Sequence, residues 1–167
     1  MNKALFLDRD GVININHGHV HKIEEFDFID GIFDLCKLAK EKNFIIIIVT
    51  NQAGIGKGYY TENQFLSLNQ WMLDMFKQYG ISIDQVYYCP HRPEDNCNCR
   101  KPNPGMIIKA INEYDIDVKN SILIGDKQSD IDAAIAAGIV NTYLFENCNH
   151  KDTMKYLESN YHDKAKR

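Results

Sequence analysis

The sequence has no hydrophobic run long enough to cross a membrane. Its most continuous apolar run, residues 44–49, is far shorter than the roughly 20 residues that a membrane-spanning helix needs. Near the N-terminus, the charged residues Asp8, Arg9 and Asp10 interrupt the apolar stretch that a secretory signal peptide would require. We therefore expect a cytoplasmic protein without a membrane partner.

Basic residues are not in excess, and this argues against a nucleic-acid partner. The formal net charge is −4 at pH 7. The chain also lacks a basic segment interleaved with aromatic residues, on which unpaired bases stack. A local cluster of cations can still bind a small phosphate. We therefore expect a small-molecule substrate, and we expect the protein to be a monomer.

The cysteines are odd in number and unevenly spread, which argues against a disulfide framework. Three of the five cysteines, Cys89, Cys97 and Cys99, lie in one short segment together with His91. Three sulfur atoms and one imidazole match the tetrahedral ligand set of Zn²⁺, and four protein ligands leave no open position for catalysis. The alternative is a chance cluster of reduced thiols. We favour a structural zinc ion that folds loop 89–99, because this loop has little apolar content.

The length and the order of apolar segments predict a single α/β domain over residues 1–167. A chain of this length buries enough surface for one core and leaves no room for a large cap domain. Strand-like runs alternate with helix-like segments, as in a Rossmann-like parallel sheet flanked by helices. The predicted strands are residues 3–7, 44–50, 85–89, 121–125 and 141–145. The predicted helices are residues 32–41, 61–79, 104–114 and 130–137, with a weaker helix at 152–161 and a frayed tail at 163–167.

Capping residues mark several of these helix ends. Thr61 is typical of an N-cap, and Asn103 before Pro104 is the second expected cap. Gly80 and Gly138 lie where glycines end helices. Because ligands bind beyond the carboxyl ends of parallel strands, we expect the polar residues that follow the strands to share one crevice.

Two carboxylates, Asp8 and Asp10, directly follow the first predicted strand. One carboxylate can attack phosphorus and help to hold a cation, and the other can exchange a proton with the leaving oxygen. Gly11 permits a sharp turn of the backbone there. Ordinary turns and calcium loops have a similar composition. The apolar strand before the pair and the motifs further along the chain favour phosphoryl transfer.

Two segments offer groups that bind phosphate. Residues 50–58 combine the Thr50 hydroxyl, side-chain amides and a glycine-rich turn with available N–H groups, although a plain strand-to-helix connection is the alternative. The glycine spacing does not match a Walker A loop, which argues against a nucleoside triphosphate. Arg100 and Lys101 add a bidentate fork and a point charge between the cysteine loop and the next helix.

A third carboxylate follows the fourth predicted strand. Asp126 would join the first pair in an oxygen-rich site of the kind that Mg²⁺ prefers. Asp130 is either part of this site or the cap of its helix. His17, His19 and His21 alternate in a polar loop, and we interpret this loop as a lining of the crevice rather than as a second metal site.

Together these motifs resemble the haloacid dehalogenase superfamily of aspartate-nucleophile phosphatases, and within it the heptose bisphosphate phosphatases related to the histidinol-phosphatase domain. The resemblance covers nearly the whole chain, from Asp8 to about Phe145. The cysteine loop, which ends in the motif CRKP at 99–102, is the feature that resembles this branch rather than the superfamily as a whole. The matching segments are FLDRDG at 6–11, NHGHVH at 16–21, FIDG at 28–31, TNQAGI at 50–55, YYCPH at 87–91, CNCRKP at 97–102 and GDK at 125–127.

The resemblance implies a haloacid dehalogenase-like fold and a role for each matching residue. It implies Asp8 as nucleophile and Asp10 as proton donor. It implies Mg²⁺ held by Asp8, Asp126 and the backbone carbonyl of Asp10. It implies that Thr50 and Lys101 steady the transferred phosphoryl group. The implied substrate-binding residues are Asn16, His17, Gly18, His19, Asn51, Gln52, Ala53, Arg100 and Lys127.

The implied reaction is Mg²⁺-dependent removal of the 7-phosphate of a heptose 1,7-bisphosphate through an aspartyl phosphate, in nucleotide-heptose biosynthesis. Histidinol-phosphate hydrolysis is the nearest alternative. Histidinol carries an ammonium that calls for a carboxylate, whereas a second phosphate calls for cations such as Arg100 or Lys57. The histidine segment 17–21 and the Arg100–Lys101 pair favour the bisphosphate. A non-catalytic, zinc-stabilised binding module is a further alternative, which the complete set of carboxylates disfavours.

Overall fold

The structure is a computed structural model and describes residues 1–160. The strands are β1 (Lys3–Leu7), β2 (Phe44–Asn51), β3 (Gln85–Cys89), β4 (Ile122–Gly125) and β5 (Thr142–Leu144). The helices are α1 (Ile32–Glu41), α2 (Ala53–Gly56), α3 (Glu62–Gln78), α4 (Gly105–Tyr114), α5 (Gln128–Ala136) and α6 (Lys151–Asn160). Two short 3₁₀ helices, Ile23–Glu25 and Pro93–Asp95, complete the set that the structure describes.

The five strands form one parallel sheet in the order β3-β2-β1-β4-β5. Phe6 in β1 lies opposite Ile47 in β2 and Leu123 in β4. This register brings the carboxyl ends of the three central strands to the same edge of the sheet. The polar residues after these strands therefore lie close together in space.

Side chains of the central strands alternate between two core clusters. Leu5 and Leu7 pack with apolar residues of α1, α3 and α6, whereas Ala4 and Phe6 pack with those of α4 and α5. Because helices cover both faces of the sheet, the strands are apolar on both sides and read as continuous hydrophobic runs. The predicted parallel sheet flanked by helices is confirmed, and no described segment forms a large cap domain.

Thr61 and the two helix-ending glycines have the predicted geometry. Thr61 Oγ1 accepts a hydrogen bond from the Gln64 N–H at 3.1 Å, and Gln64 Oε1 accepts one from the Thr61 N–H at 2.8 Å, so α3 begins with a capping box. Gly80 and Gly138 have φ values of +76° and +94°. Glycine adopts such angles at helix ends without a steric penalty.

The prediction that Asn103 caps α4 is wrong. The helix begins at Gly105 with Pro104 at the N-cap position, and no side chain caps it. The Asn103 amide instead donates to the carbonyl oxygen of Cys97 at 2.8 Å, and the Gly105 N–H donates to the carbonyl of Asn98 at 3.0 Å. The start of α4 is therefore bonded to the cysteine loop, and these contacts take the place of a side-chain cap.

The remaining predicted boundaries are close to the observed ones. Helix α5 begins two residues before its predicted start, and the short helix α2 lies unpredicted inside the glycine-rich segment 50–58. Residue 161 of the predicted last helix and the predicted tail at 163–167 lie outside the described residues. Over residues 1–160, no helix has the length and apolar character that crossing a bilayer demands.

Candidate active site

Polar residues at the carboxyl ends of β1, β2 and β4 surround one cavity of about 580 Å³. The site residues therefore come from segments far apart in sequence, as the parallel topology requires. The lining consists of carboxylates, cations and amides in close proximity. The lining residues are Asp8, Asp10, Asn16, Gly18, His19, Asn51, Gln52, Ala53, Lys57, Tyr60, Arg100, Lys101, Pro102, Lys127, Ser129 and Asp130.

Lys101 occupies the floor of this cavity between two buried carboxylates. Its Nζ donates to Asp8 Oδ1 at 2.9 Å and to the carbonyl of Val49 at 2.8 Å, and it pairs with Asp130 Oδ1 at 2.6 Å. Burial disfavours the lysine charge, but Asp8 and Asp130 outweigh it and raise the pKa of Lys101. The side chain is therefore a fixed positive charge beside the predicted nucleophile.

The backbone of Lys101 is fixed by Asn51 at the end of β2. The Asn51 Nδ2 donates to the Lys101 carbonyl at 3.2 Å, and Asn51 Oδ1 accepts from the Lys101 N–H at 3.1 Å. Asn51 lines the cavity, as predicted for a substrate-binding residue, but its amide is already engaged with the lysine backbone. This pairing joins the cysteine loop to the central sheet.

Asp8 and Asp126 form an acidic pair that fits a divalent cation. Burial raises the pKa of Asp8 well above its usual value, although Lys101 opposes the rise, and burial also raises the pKa of Asp126. Oxygen atoms of Asp8, Asp126 and Asp130 all lie within 4.8 Å of one another. Asp126 Oδ1 is buried, with no hydrogen-bond partner in the described part of the chain. Such an orphaned oxygen next to a second carboxylate suits a hard cation such as Mg²⁺.

Gly11 is required for this arrangement. Its φ is +96°, and a Cβ at this position would lie only 2.0 Å from Asp126 Oδ2. Any other residue would therefore collide with Asp126. The glycine that sequence analysis assigned to a sharp turn also gives Asp126 the space to reach Asp8.

Asp130 is both a helix-terminal residue and part of the charged cluster. Its Oδ2 accepts hydrogen bonds from the backbone N–H groups of Asp126 and Lys127 at 3.1 Å each, and its Oδ1 pairs with Lys101. The two interpretations of Asp130 left open by the sequence are therefore not exclusive. As part of the charged cluster, Asp130 uses Oδ1 to position Lys101. Both of its oxygens are then engaged, and neither is left free for a metal ion.

Three N–H donors hold the carboxylate of Asp10. Oδ1 accepts from Arg9 Nη2 at 3.0 Å and from Asn14 Nδ2 at 3.0 Å, while Oδ2 accepts from Gln52 Nε2 at 3.1 Å. The carboxylate cluster of Asp8, Asp126 and Asp130 does not include the side chain of Asp10. The Asp10 carboxylate is thus separated from the charged floor and available for a different role.

A short chain of hydrogen bonds connects Asp10 to Tyr60, a cavity residue that sequence analysis missed. The Tyr60 hydroxyl donates to Gln52 Oε1 at 2.5 Å, and Gln52 Nε2 donates to Asp10 and, at 2.9 Å, to the Thr50 hydroxyl oxygen. Burial raises the pKa of Tyr60 to about 12, so the hydroxyl keeps its proton. Thr50 is buried and reaches the site through Gln52.

The predicted substrate-binding residues divide into two groups. Most of them line the cavity, but His17 does not, because its Nε2 pairs with Asp27 Oδ2 at 2.8 Å on the exposed surface. His19 lines the cavity, and its ring contacts that of Tyr59 at 4.8 Å. The lining residues that the sequence analysis did not single out are Tyr60, Pro102 and Ser129.

Cations from three segments stand at the cavity wall. Lys57 comes from the glycine-rich segment, Arg100 from the end of the cysteine loop and Lys127 from the turn after β4. The Arg100 Nη1 is buried, and no described residue accepts its hydrogen bond. A guanidinium nitrogen without a partner at a cavity wall suits an anionic ligand.

The four predicted zinc ligands converge, because Cys89 ends β3 and the loop returns to it. Cys89 Sγ lies 3.5 Å from His91 Nδ1 and 3.5 Å from Cys97 Sγ, and Cys99 Sγ lies 3.2 Å from His91 Nδ1. All four donor atoms lie within 4.8 Å of one another, and three thiols with one imidazole are a ligand set of structural zinc sites. Burial would raise the pKa of Cys97, but the Arg100 N–H and the neighbouring thiols lower it to about 6. The donor set therefore fits zinc.

Known proteins with similar sequence are phosphatases. A family model described as HAD-hydrolase-like matches residues 98–154. The chain is 48% identical over 143 residues to the D-glycero-beta-D-manno-heptose-1,7-bisphosphate 7-phosphatase of Yersinia pestis. The alignment covers 81% of this chain and 76% of that protein. It is 53% identical over 137 residues to the D-glycero-alpha-D-manno-heptose-1,7-bisphosphate 7-phosphatase of Campylobacter jejuni. This alignment covers 82% of this chain and 78% of that protein.

A solved structure has the same architecture. It is the D,D-heptose 1,7-bisphosphate phosphatase from B. bronchiseptica complexed with magnesium and phosphate, with a TM-score of 0.79 and 31% sequence identity. The match covers 85% of this chain and 79% of that chain. The names of the two curated relatives specify different anomers of the sugar.

Proposed function

The chain belongs to the D-glycero-D-manno-heptose-1,7-bisphosphate 7-phosphatase family, and we propose that it removes the 7-phosphate of that sugar bisphosphate to give heptose 1-phosphate. The reaction is hydrolysis of a phosphoric monoester and would serve nucleotide-heptose biosynthesis. Asp8 beside Lys101 and Asp10 in the cavity lining supply the two carboxylates that the chemistry needs. The cations at the cavity wall supply the charge that a second phosphate needs.

In the first step, an oxygen of Asp8 attacks phosphorus in line and the bond from phosphorus to the sugar oxygen breaks. Asp10 gives its proton to the departing oxygen, which leaves as the sugar hydroxyl. In the second step, Asp10 removes a proton from water while the water oxygen attacks phosphorus. The bond from phosphorus to Asp8 then breaks and inorganic phosphate leaves.

Lys101 and Thr50 would steady the transferred phosphoryl group in this scheme. The position of Lys101 supports this role, because its charged Nζ lies 2.9 Å from Asp8 Oδ1. Asp8, Asp126 and the carbonyl of Asp10 would hold Mg²⁺, the ion in the solved relative, and the bound ion would neutralise charge on the phosphoryl oxygens. The cavity-lining amides and cations would bind the sugar and its second phosphate.

Zinc would be structural. Cys89, His91, Cys97 and Cys99 provide four ligands, which leaves no open coordination position. The ion would hold Arg100 and Lys101 in place, because both residues directly follow the last cysteine. We further propose that residues 1–167 act as one phosphatase domain, as a monomer and in the cytoplasm, where thiols remain reduced and available to zinc.

We favour a bisphosphate over histidinol phosphate as the substrate because three cations that could bind a second phosphate line the cavity. They are Lys57, Arg100 and Lys127. Inorganic phosphate release should be measured from both anomers of heptose 1,7-bisphosphate and from histidinol phosphate, with and without Mg²⁺. We expect the highest kcat/KM for one heptose anomer and no turnover without the metal ion. A higher kcat/KM for histidinol phosphate would overturn the substrate assignment.

The covalent route has a separate test. Asp8→Asn should abolish turnover and leave the thermal unfolding transition sharp, because asparagine is nearly isosteric but cannot form the acyl phosphate. Asp117→Asn is the matched control, since it makes the same chemical change in the turn before β4, at the end of the strands opposite the cavity. Full turnover by the Asp8 variant would refute the aspartyl phosphate.

A further inference from the structure

Arg9, between the two catalytic carboxylates, has a guanidinium group that is almost completely buried. The residue is only 1% exposed. Its Nη2 donates to Asp10 Oδ1 at 3.0 Å and to the carbonyl oxygen of Val20 at 2.8 Å. The rings of Phe26 and Phe65 each lie 5.8 Å from the guanidinium carbon. One nitrogen atom thus connects the proton donor to the loop that carries the cavity residues Asn16, Gly18 and His19.

This arrangement is poorly explained by stability. A buried charge is expensive to desolvate, and replacing a buried ion pair by apolar side chains is often neutral or stabilising. In the described structure, the buried Arg9 Nε has no hydrogen-bond partner, which adds to the cost. An apolar residue between Phe26 and Phe65 would avoid both penalties. The guanidinium group therefore needs a reason beyond packing.

The reason lies in the two oxygens of Asp10. Oδ1 accepts from Arg9 and Asn14 and is anchored on both lone-pair sides. Among residues 1–160, Oδ2 accepts a hydrogen bond from Gln52 alone. A carboxyl group that keeps Oδ1 on these donors has Oδ2 left to carry the proton. Asp10 lines the cavity, so a group fixed in this way presents its proton to the substrate.

We propose that Arg9 is a positioning residue, which orients the carboxyl group of Asp10 for proton transfer and ties it to loop 15–20 through Val20. The inference rests on the proposed function, in which Asp10 protonates the leaving oxygen. Arg9 itself does not contact the substrate. Its removal should leave substrate binding largely intact and slow the step in which the sugar hydroxyl departs.

Dependence on the leaving group tests this role. Phenyl phosphate and p-nitrophenyl phosphate have similar shapes, but only p-nitrophenolate leaves readily without a proton. Because Asp10 also activates water in the second step, which is common to all substrates, the rates compared are those of alcohol release in a single turnover. In Arg9→Met, this rate for heptose bisphosphate and for phenyl phosphate should fall by about 10²-fold, the usual contribution of general acid catalysis, with KM close to wild type. The single-turnover release of p-nitrophenol should slow far less. Arg9→Lys keeps the charge but can reach fewer acceptors, so it should recover part of the loss.

Two further variants separate positioning from folding. Asn14→Ala removes the other donor to Asp10 Oδ1, so it should show the same selectivity for the leaving group. Lys40→Met breaks a lysine–carboxylate pair with Asp84, a residue in the loop before β3, so it should lower the melting temperature without that selectivity. If Arg9→Met does not fold, Arg9→Lys and Asn14→Ala carry the test.

Each result decides the matter. Equal slowing of single-turnover phenol and p-nitrophenol release in Arg9→Lys and Asn14→Ala, or no slowing in either variant, would overturn the positioning role. Wild-type protein that releases phosphate from the aryl esters but not from heptose bisphosphate would overturn the proposed substrate, while the comparison between aryl esters would still judge Arg9. If the aryl esters are not hydrolysed, the test is kcat against KM on heptose bisphosphate, where a rise in KM alone would refute the role.

Discussion

Replacing Gly11 by alanine should damage the metal site more than the fold. Alanine in a left-handed backbone conformation costs about 1–2 kcal/mol, which for a chain of this size lowers Tm by roughly 2–8 °C. In addition, the new Cβ would lie 2.0 Å from Asp126 Oδ2 and 2.4 Å from its Cγ, distances that no packing tolerates. Asp126 must therefore move away from Asp8. Loss of support for a metal ligand typically weakens binding by about 10- to 100-fold, so the Mg²⁺ concentration for half-maximal activity should rise by about that factor.

Gly80→Ala provides the matched control. Gly80 also has a positive φ, +76°, but its Cβ would have no heavy atom within 4 Å. The control should therefore lose similar thermal stability and keep the wild-type response to Mg²⁺. Phosphate release across a magnesium titration, together with a melting curve for each variant, separates the two effects. A Gly11→Ala protein with an unchanged magnesium titration would show that Asp126 is not a ligand.

Three other perturbations have definite expected results. Cys99→Ser should lower the zinc content measured by elemental analysis and expose loop 89–99 to proteolysis; unchanged zinc would exclude the tetrahedral site. Lys101→Met leaves the buried Asp8 without its counter-charge and should lower the free energy of unfolding in urea by about 3–5 kcal/mol without Mg²⁺; an equal urea midpoint would contradict this. Burial lowers the pKa of His150, so below about pH 6.5 the unfolded state binds a proton that the folded state does not, and stability falls as pH falls. His150→Gln should reduce this slope by at most about 1.4 kcal/mol per pH unit, and an identical slope would refute the assignment.

The sheet and the convergence of the charged residues could be predicted from sequence because both follow from local patterns. A strand buried on both faces is a short apolar run, and β1, β2 and β4 are such runs, each ending in or directly followed by a polar residue. Once the strands are parallel, their carboxyl ends must meet. The positions of Asp8, Lys101 and Asp130 around one cavity follow from this topology without knowledge of any side-chain angle.

The contacts that fix individual side chains could not be predicted in this way. His150 Nε2–H donates to the Val12 carbonyl oxygen at 2.7 Å, across 138 residues of sequence. Tyr60 reaches Gln52 only because the unpredicted helix α2 turns the chain back between them. Asn103 does not cap α4, because its amide binds the Cys97 carbonyl of the folded cysteine loop. Such contacts depend on tertiary geometry, for which propensity and periodicity contain no signal.

Negative and positive side chains occupy different parts of the cavity, and this arrangement bears on the reaction. Asp8, Asp126 and Asp130 cluster at the floor with Lys101 as their only described lysine or arginine partner, so the floor has an excess of negative charge. An excess of buried carboxylate is relieved by protonation or by a further cation, and burial accordingly raises the pKa values of Asp8 and Asp126. The nucleophile has to be ionised to attack, so the cation is the route compatible with the reaction. The remaining cations stand at the wall on loops, where they meet an arriving phosphate. A cation at the floor therefore has to be present before the nucleophile faces a phosphoryl dianion, because two like charges would otherwise oppose each other in a low-dielectric site.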